Sequence, residues 1–503
     1  MSTIRSLISV NAIVAVALFI GFLNNVAISG FFGLNRSVDA YFAAGILGTL
    51  FLNLIVDYVG RNFLPVFSKL SDHSRDNASQ LASTVVSILA IFAAVTVIIL
   101  LNASRPIFDF LLPGFADDDL QIVTTMFAIQ APAIIFMTIN SVHQYVWQHA
   151  ENYVRVAYAR LTIPLSLLAF IAGGYLTQNI YALPAGFLAG HIVSFIVLSY
   201  RIPYQFHIRL NVTNPDVRTI LVNSLKLTGS GLITKLRGPI LQYFGSLLGE
   251  GAIAATSMAL KLCAPVHEAA LMGVRMIVFS RASQEAGRGN LSRLADLYNY
   301  SLSAVLLGVV PIAVWVTFNA NSLVRVVFER GEFTQAMSTL VTLALLGAAP
   351  TIVFHGLVQL LSNSFYALQR ITIPLFVLPA GTLLFLVASK VLSETYGILG
   401  LTLASSIVSA VMTATLSIAL HMILQHFSAL GVIIRMLKYS AVAILFGFVA
   451  TMLRTYFGLT GILGLTLTLT VQFAAYFLAL AAIRDRTLVR VWRSVHRELL
   501  TRD

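Results

Sequence analysis

A single cysteine, Cys263, stands among 503 residues. One thiol excludes a disulfide framework and a cysteine metal site. Charge is nearly as scarce, at 10% of the residues, where a soluble protein carries about a quarter. No polar stretch is long enough to form a soluble domain. Walker loop, zinc-type histidine pair and nucleophile elbow are all missing. His267 beside Glu268 is only a pair of neighbours. What charge there is leans positive, with 32 Lys and Arg against 20 Asp and Glu and a net charge of +12. In a chain that is 58% hydrophobic, that excess reads as cytoplasmic loop charge, and no nucleic-acid partner is expected.

Long apolar runs are what the sequence has in abundance. They recur from end to end, the signature of membrane helices. Hydropathy and helix breakers predict spans near 7–32, 40–67, 80–101, 122–146, 154–176, 180–200, 219–248, 252–280, 296–318, 337–362, 372–389, 397–424, 432–453 and 458–483. The first run is too long for a signal-peptide core and is read as a retained helix. An all-α integral membrane protein with fourteen transmembrane helices is therefore expected. An even count puts both termini on one side. With that side cytoplasmic, 20 of the 32 Lys and Arg fall in inner segments and 6 in outer ones, so the positive-inside rule favours cytoplasmic termini.

The two halves repeat each other in order. "VFSKLS" at Val66–Ser71 matches "VFSRAS" at Val278–Ser283. "SRDNASQLA" from Ser74 matches "GRGNLSRLA" from Gly287, and "APAIIF" from Ala131 matches "APTIVF" from Ala349. The repeat spans six helices, an even number, so both copies share one orientation. Parallel repeats of this kind are a transporter architecture. The division expected is a first bundle at 1–212, a second at 213–430, two added helices at 431–483 and a basic cytoplasmic tail at 484–503. The tail arginines are positioned either to fix topology or to meet anionic headgroups.

Charge inside lipid costs about 2.5–3.5 kcal/mol per residue at the helix centre, so it should face a cavity or a partner. Six cations fall inside predicted spans: Arg61, Lys226, Lys235, Arg237, Lys261 and Arg275. Lys226, Arg61 and Arg275 lie near helix ends, where long side chains reach the interface. Lys235, Arg237 and Lys261 lie at middle depth, where they read as lining a polar cavity. Clustered cations suit an anion, and Lys and Arg are the usual phosphate partners. Asn24 and Asn25 are candidate hydrogen-bond partners for the same anion. Asp57 and Arg61 lie one turn apart and read as an ion pair. Lys261, Glu268 and Arg275 share one helical face. Lys226 and Arg275 are counted with the candidate diphosphate partners, and Asp57, Arg61 and Glu268 are candidates for coupling or gating. "LTGSGLITKLRGPI", from Leu227 to Ile240, carries two of the cations together with Gly229 and Gly231. A bend is expected at those glycines.

Four further stretches carry a resemblance. "GFFGLNRSVDAYFAA" (Gly30–Ala44), "GEGAIAATSMALKL" (Gly249–Leu262), "FERGEFT" (Phe328–Thr334) and "SFYALQRITIPL" (Ser364–Leu375) resemble the MurJ (MviN) lipid II flippase family of the multidrug/oligosaccharidyl-lipid/polysaccharide exporter superfamily. The resemblance covers nearly the whole chain, and "FERGEFT" is its most specific piece. It implies two six-helix bundles around a cationic central cavity, and a groove for a polyprenyl tail on the last two helices. It implies Asp39 as the first-loop aspartate, which joins the candidates for coupling or gating, and Lys261 where the family has an arginine. Leu18, Asn24, Asn25 and Leu52 stand where the family has charged residues, so mid-membrane charge shifts here to the seventh and eighth spans.

The reading is a flippase moving a polyprenyl-diphosphate-linked glycan from the inner to the outer leaflet by alternating access. The glycan is lipid II or another polysaccharide precursor. Membrane lipids are the other expected partners, the chain is read as a monomer, and no cofactor is expected beyond a coupling ion, Na⁺ or H⁺. One rival is an ion-coupled exporter of a soluble compound, which would need unpaired acids in the cavity. Another is a membrane glycan polymerase or ligase, using the outer loop of about 20 residues with Asp109, Asp117, Asp118 and Asp119.

Overall fold

The computed structural model describes residues 2–51, 57–211 and 213–491. Regular structure among them is helical throughout. In chain order the helices are α1 (Ser2–Phe32), α2 (Arg36–Phe51), α3 (Asp57–His73), α4 (Arg75–Leu111), α5 (Asp117–Gln130), α6 (Ala133–His149), α7 (Tyr153–Leu176) and α8 (Ala182–Ser199). Then come α9 (Pro215–Lys235), α10 (Arg237–Leu247), α11 (Ala252–Gly287), α12 (Leu291–Phe328), α13 (Gln335–Ala348), α14 (Thr351–Ala367), α15 (Thr372–Ile423), α16 (Ala429–Tyr456) and α17 (Gly461–Ala482). Ten of the described helices or helix pairs are long and apolar enough to cross a membrane. Asp57, Arg61, Gly229 and Arg275 lie outside the residues whose surroundings are described, as do Leu52 and the tail beyond residue 491.

The chain forms two compact units, Met1–Ala254 with Arg330–Phe333, and Ala255–Glu329 with Thr334–Asp503. In the first, α1 packs on α7, α7 on α8, and α3 on α4, α6 and α9. A core at one end joins Phe63 and Phe67 of α3, Leu81 and Val85 of α4, Val142 and Val146 of α6, and Val217 and Ile220 of α9. In the second unit α12 packs on α13, α14, α16 and α17, and both α13 and α14 pack on α15.

The repeated sequences adopt similar structure, with the helix start shifted by three positions. Ser74 caps α4 by accepting from the Asn77 N–H, and Asn290, which aligns with Asn77, caps α12 by accepting from the Arg293 N–H. These caps extend both helices beyond the apolar runs 80–101 and 296–318. The spans predicted as single helices at 122–146 and 337–362 are each interrupted, between α5 and α6 at Ala131-Pro132 and between α13 and α14 at Ala349-Pro350. A proline cannot donate to the preceding turn, so each helix restarts there. At the 1.5 Å rise of a helix, the 52 residues of α15 would reach about 78 Å, well over twice the hydrocarbon core of about 30 Å. The run bends at Gly397, with φ 58° and ψ −136°, a conformation that glycine tolerates.

Packing follows the membrane pattern, with small and polar residues inside and large apolar ones outside. Helix α4 buries Ser83, Thr84 and Ser87 and exposes Ile91, Phe92, Val95, Ile98 and Ile99. Helix α15 buries Ser405, Ser406 and Ser409 and exposes Leu383, Leu386 and Val387. Between α7 and α8 the approach is set by Gly186 and Gly190. A Cβ at Gly186 would lie 2.6 Å from Phe170 Cβ, and one at Gly190 2.9 Å from Ile163 Cα. Gly190→Leu is therefore expected to lower the thermal midpoint in detergent, by about 1–3 kcal/mol of overpacking. Gly173→Ala on α7, where nothing lies within 4 Å, should not lower it. Equal melting of Gly190→Leu and the parent would contradict this packing.

Beyond α17 the chain is pinned to α16 by Asp485, which is 6% exposed. It accepts from Lys438 Nζ at 2.6 Å, from the Tyr439 hydroxyl at 3.2 Å, and from the Thr487 and Leu488 N–H groups. Burial pushes this carboxyl up, but Lys438 and the two N–H groups together hold it below its ordinary 3.8. A carboxyl depressed in the folded state contributes stability above the ordinary value and loses it as pH falls through the folded one. Melting followed from pH 6 to pH 2.5 should show an acid-side loss that Asp485→Asn lessens. An identical pH profile in that variant would remove the pairing from the account.

Candidate functional site

The stretch from Leu227 to Ile240 does contain a joint, but not at its glycines. Helix α9 runs unbroken to Lys235, the interruption falls at Leu236, and α10 begins at Arg237. The cause is Pro239. It has no N–H for the carbonyl four residues back, which is that of Lys235, and its ring crowds the same carbonyl. The Leu236 N–H turns to Ile233 O at 3.2 Å instead. Gly231 has another use. It is buried, and a Cβ there would collide with the Tyr58 hydroxyl of α3, so it permits close packing of α9 on α3. Ser224 and Asn62 bridge the same two helices at 3.1 Å.

Lys235 and Arg237 thus flank a helix break, and both are half-buried. Lys235 ends α9, where a cation meets the negative end of the helix dipole. Arg237 opens α10, where backbone N–H groups and the positive dipole end favour an anion. Lys226, two turns earlier on α9, is exposed. Lys261 lies on α11 within the second unit, and its side chain is exposed. Further along α11, Glu268 accepts weakly from Gln359 Nε2 at 3.5 Å and lies 3.7 Å from His267 Nε2. It is therefore an acid with neighbours, not an isolated one.

Asn24 and Asn25 serve helix packing. Both are buried in α1. The Asn24 amide donates to Pro164 O of α7 at 2.9 Å, and the Asn25 amide donates to Gly21 O at 2.7 Å. A phosphate oxygen needs donors, and one N–H of each amide is given to helix packing instead. The Asn24 Oδ1 that remains is an acceptor without a partner, which would repel a phosphate.

A second constellation, at the far ends of the first unit's helices, surrounds Asp39, which the sequence marks for gating or coupling. Asp39, fully buried, accepts from the N–H groups of Gly251 and Ala254, both at 2.7 Å. It caps α11 from a distant helix. Arg36 beside it donates its backbone N–H to Glu250 Oε1 at 3.1 Å and its guanidinium to Gly114 O at 3.0 Å and Gly249 O at 3.4 Å. The same guanidinium lies 3.7 Å from Asp119 and 4.8 Å from the Phe115 ring centroid. The turn of "FERGEFT" reaches this cluster. Glu332 N–H donates to Gly30 O at 2.8 Å. Gly331 sits at φ +58°, and a Cβ there would overlap the Gly30 carbonyl. Three of the four motifs that carry the resemblance therefore meet in one place. Arg36 was the residue missed, and its only sequence signal is a lone cation at a helix start after Gly33.

The outer aspartates are structural as well. The expected long loop is only residues 112–116, because α4 and α5 extend into it. Asp117, Asp118 and Asp119 form the first turn of α5, where acids suit the dipole. Asp119 accepts from the Ala116 N–H at 3.2 Å, and Asp117 pairs with Arg105 at 2.5 Å.

Comparison with known proteins gives the same direction. The model of the lipid II flippase MurJ family matches residues 28–472. The chain belongs to that family. MurJ-family relatives include the probable lipid II flippase MurJ of Buchnera aphidicola subsp. Baizongia pistaciae, 23% identical over 80% of this chain and 82% of that one. The lipid II flippase MurJ of Burkholderia cenocepacia is 24% identical over 80% and 81%. A solved lipid II flippase MurJ in an inward closed conformation superposes with TM-score 0.80 at 17% identity, over 96% of this chain and all of that one. An inward-facing multidrug resistance MATE family transporter of the MOP superfamily gives TM-score 0.68 at 12% identity, over 83% and 98%. These likenesses show a shared fold. As a MurJ-family member the chain is a transporter of the bacterial inner membrane and not an enzyme, which sets aside the polymerase or ligase reading.

Asp39→Ala is expected to cost about 1–3 kcal/mol, the price of leaving two buried N–H groups without an acceptor, with Asp39→Asn in between. Thermal unfolding of the purified protein measures this. If Asp39→Ala melts like the parent, Asp39 is not the cap of α11.

Proposed function

We propose that this protein flips a polyprenyl-diphosphate-linked glycan from the inner to the outer leaflet by alternating access. The observation that carries the reading is the break imposed by Pro239, flanked by Lys235 and Arg237. Discontinuous membrane helices of this kind hold anionic groups in other transporters, where half-helix N-termini face the ligand. Arginine offers a planar fork to a phosphate and lysine a point charge. Lys235 and Arg237 hold the diphosphate, with Lys226 at its approach, and Lys261 is a candidate substrate cation of the second unit. The polyprenyl tail stays in lipid along α16 and α17.

The topology belongs to the proposal. The ten apolar spans become fourteen crossings when α15 is taken as two helices around Gly397 and the more polar α2–α3, α9–α10 and α11 are added. Both termini are cytoplasmic, as the charge bias favours. Residues 1–212 and 213–430 are the parallel repeats, 431–483 the added pair and 484–503 the basic tail. Exporting two negative charges against a negative interior yields about 4–5 kcal/mol at 100 mV, so the membrane potential can contribute to the drive. Lipid II is the substrate that the relatives' names give. The missing cations at Leu18, Asn24 and Leu52 support a broader class that includes other diphosphate-linked precursors.

Reconstitution in liposomes tests this. With lipid II or another polyprenyl-diphosphate glycan in the membrane, head-group arrival at the opposite leaflet is followed by an impermeant probe. Lys235→Ala with Arg237→Ala should slow flipping at least about tenfold, since each loses charge-assisted hydrogen bonds. Undiminished flipping by a folded double variant would sink the assignment.

A further inference from the structure

Where α12 and α16 meet the start of the tail, the second unit forms an open cavity of about 200 Å³, lined by Asn299, Tyr300, Ser303, Arg435, Arg486, Thr487 and Arg490. Three of these seven side chains are guanidinium groups. None of the ion pairs among the described residues involves any of them. The Nε and Nη2 atoms of Arg435 are buried without a hydrogen-bond partner. Those two atoms form the edge of the guanidinium that lies beneath the pocket wall, with Nη2 near Gly431 of the same helix, and Arg435 also lines the cavity. A buried, unpaired arginine edge is costly, and buried donors in native proteins are normally satisfied.

The surroundings hold this cluster in place without neutralising it. Asp485, whose charge Arg435 feels, is already engaged by Lys438, Tyr439 and two backbone N–H groups. That engagement pins the tail to α16, so Arg486 and Arg490, one turn apart, face the cavity from a fixed segment. The Arg490 guanidinium lies 5.9 Å from the Tyr300 ring centroid. Asn299 shapes the wall, since its amide donates to His426 O at 3.0 Å and its Oδ1 accepts from the Ser428 N–H at 3.2 Å. The tail leaves α17 here and α16 begins about two turns away, so the cavity lies towards one end of these helices, as a headgroup site would.

We propose that this pocket binds a phosphate ester, held by the combined charge of Arg435, Arg486 and Arg490. The chemistry is shared by the headgroup of an anionic phospholipid and by free phosphate in solution. It is separate from the break at Pro239, and its test needs no transport.

The test uses full-length protein in detergent and the fluorescence anisotropy of a labelled short-chain phosphatidylglycerol, with labelled phosphatidylcholine as the neutral probe and sodium phosphate as competitor. The proposal expects phosphatidylglycerol to bind and phosphatidylcholine not to. Arg435→Gln, and separately Arg486→Gln with Arg490→Gln, should weaken binding about tenfold or more, the loss of roughly one charged contact. The exposed Arg370→Gln should leave it unchanged. If sodium phosphate displaces the probe at concentrations similar to the lipid's own, the source is free phosphate. If only the lipid competes, it is a headgroup. Should Arg435→Gln fail to fold, the tail double variant decides, because its arginines lie beyond the last long helix. Equal binding by both variants and the parent, or no preference for phosphatidylglycerol, overturns the site.

Discussion

Pro239 cannot give Lys235 the hydrogen bond that would carry one helix through the stretch from Thr219 to Leu248. From that one missing bond come the end of α9, the restart at Arg237 and the placing of two cations on either side of a helix break. An uninterrupted helix would set the two side chains about 200° apart, at 100° per residue, on an apolar rod with no use for either. The break turns an expensive pair of charges into a polar locus with dipole ends beside it.

That locus is held by packing that spends its polar groups elsewhere. Gly231 admits Tyr58, Ser224 and Asn62 bridge α3 and α9, and Gln242 of α10 donates to Phe42 O of α2 at 2.9 Å. At the far ends of the helices, Asp39 and Arg36 bind backbone atoms of the segments around Gly114 and Gly249–Ala254. Here sequence motifs and backbone geometry coincide. Gly331 must be glycine because its φ is positive and the Gly30 carbonyl occupies the space of a side chain. The motifs that mark the family are thus largely those that close backbone against backbone, and substrate chemistry need not explain them.

Much of the architecture could be read from hydropathy, since apolar runs in lipid leave little choice but helix. The internal repeat was visible in six-residue matches, and its copies share breaks at Pro132 and Pro350. Helix ends were misjudged where polar residues such as Asn102 and Ser104 continue α4 past its apolar run. The joint was placed at Gly229–Gly231 because glycines permit bends, whereas Pro239 compels one and glycine here serves contact. Sequence does not show that Pro164 lies opposite Asn24 and takes one of its amide N–H groups. Arg36 carried no periodic or compositional signal at all, since its role exists only once Gly114, Glu250 and Asp119 are brought around it.

The central claim is that the break, and not merely the two charges, makes the anion site. The most direct measurement is the flipping rate of Pro239→Ala in liposomes with Lys235 and Arg237 kept. Alanine restores the N–H and favours a continuous helix. The account predicts a protein at least as stable to heat as the parent but markedly slower at moving the head group. A folded Pro239→Ala variant that flips at the parental rate would contradict it.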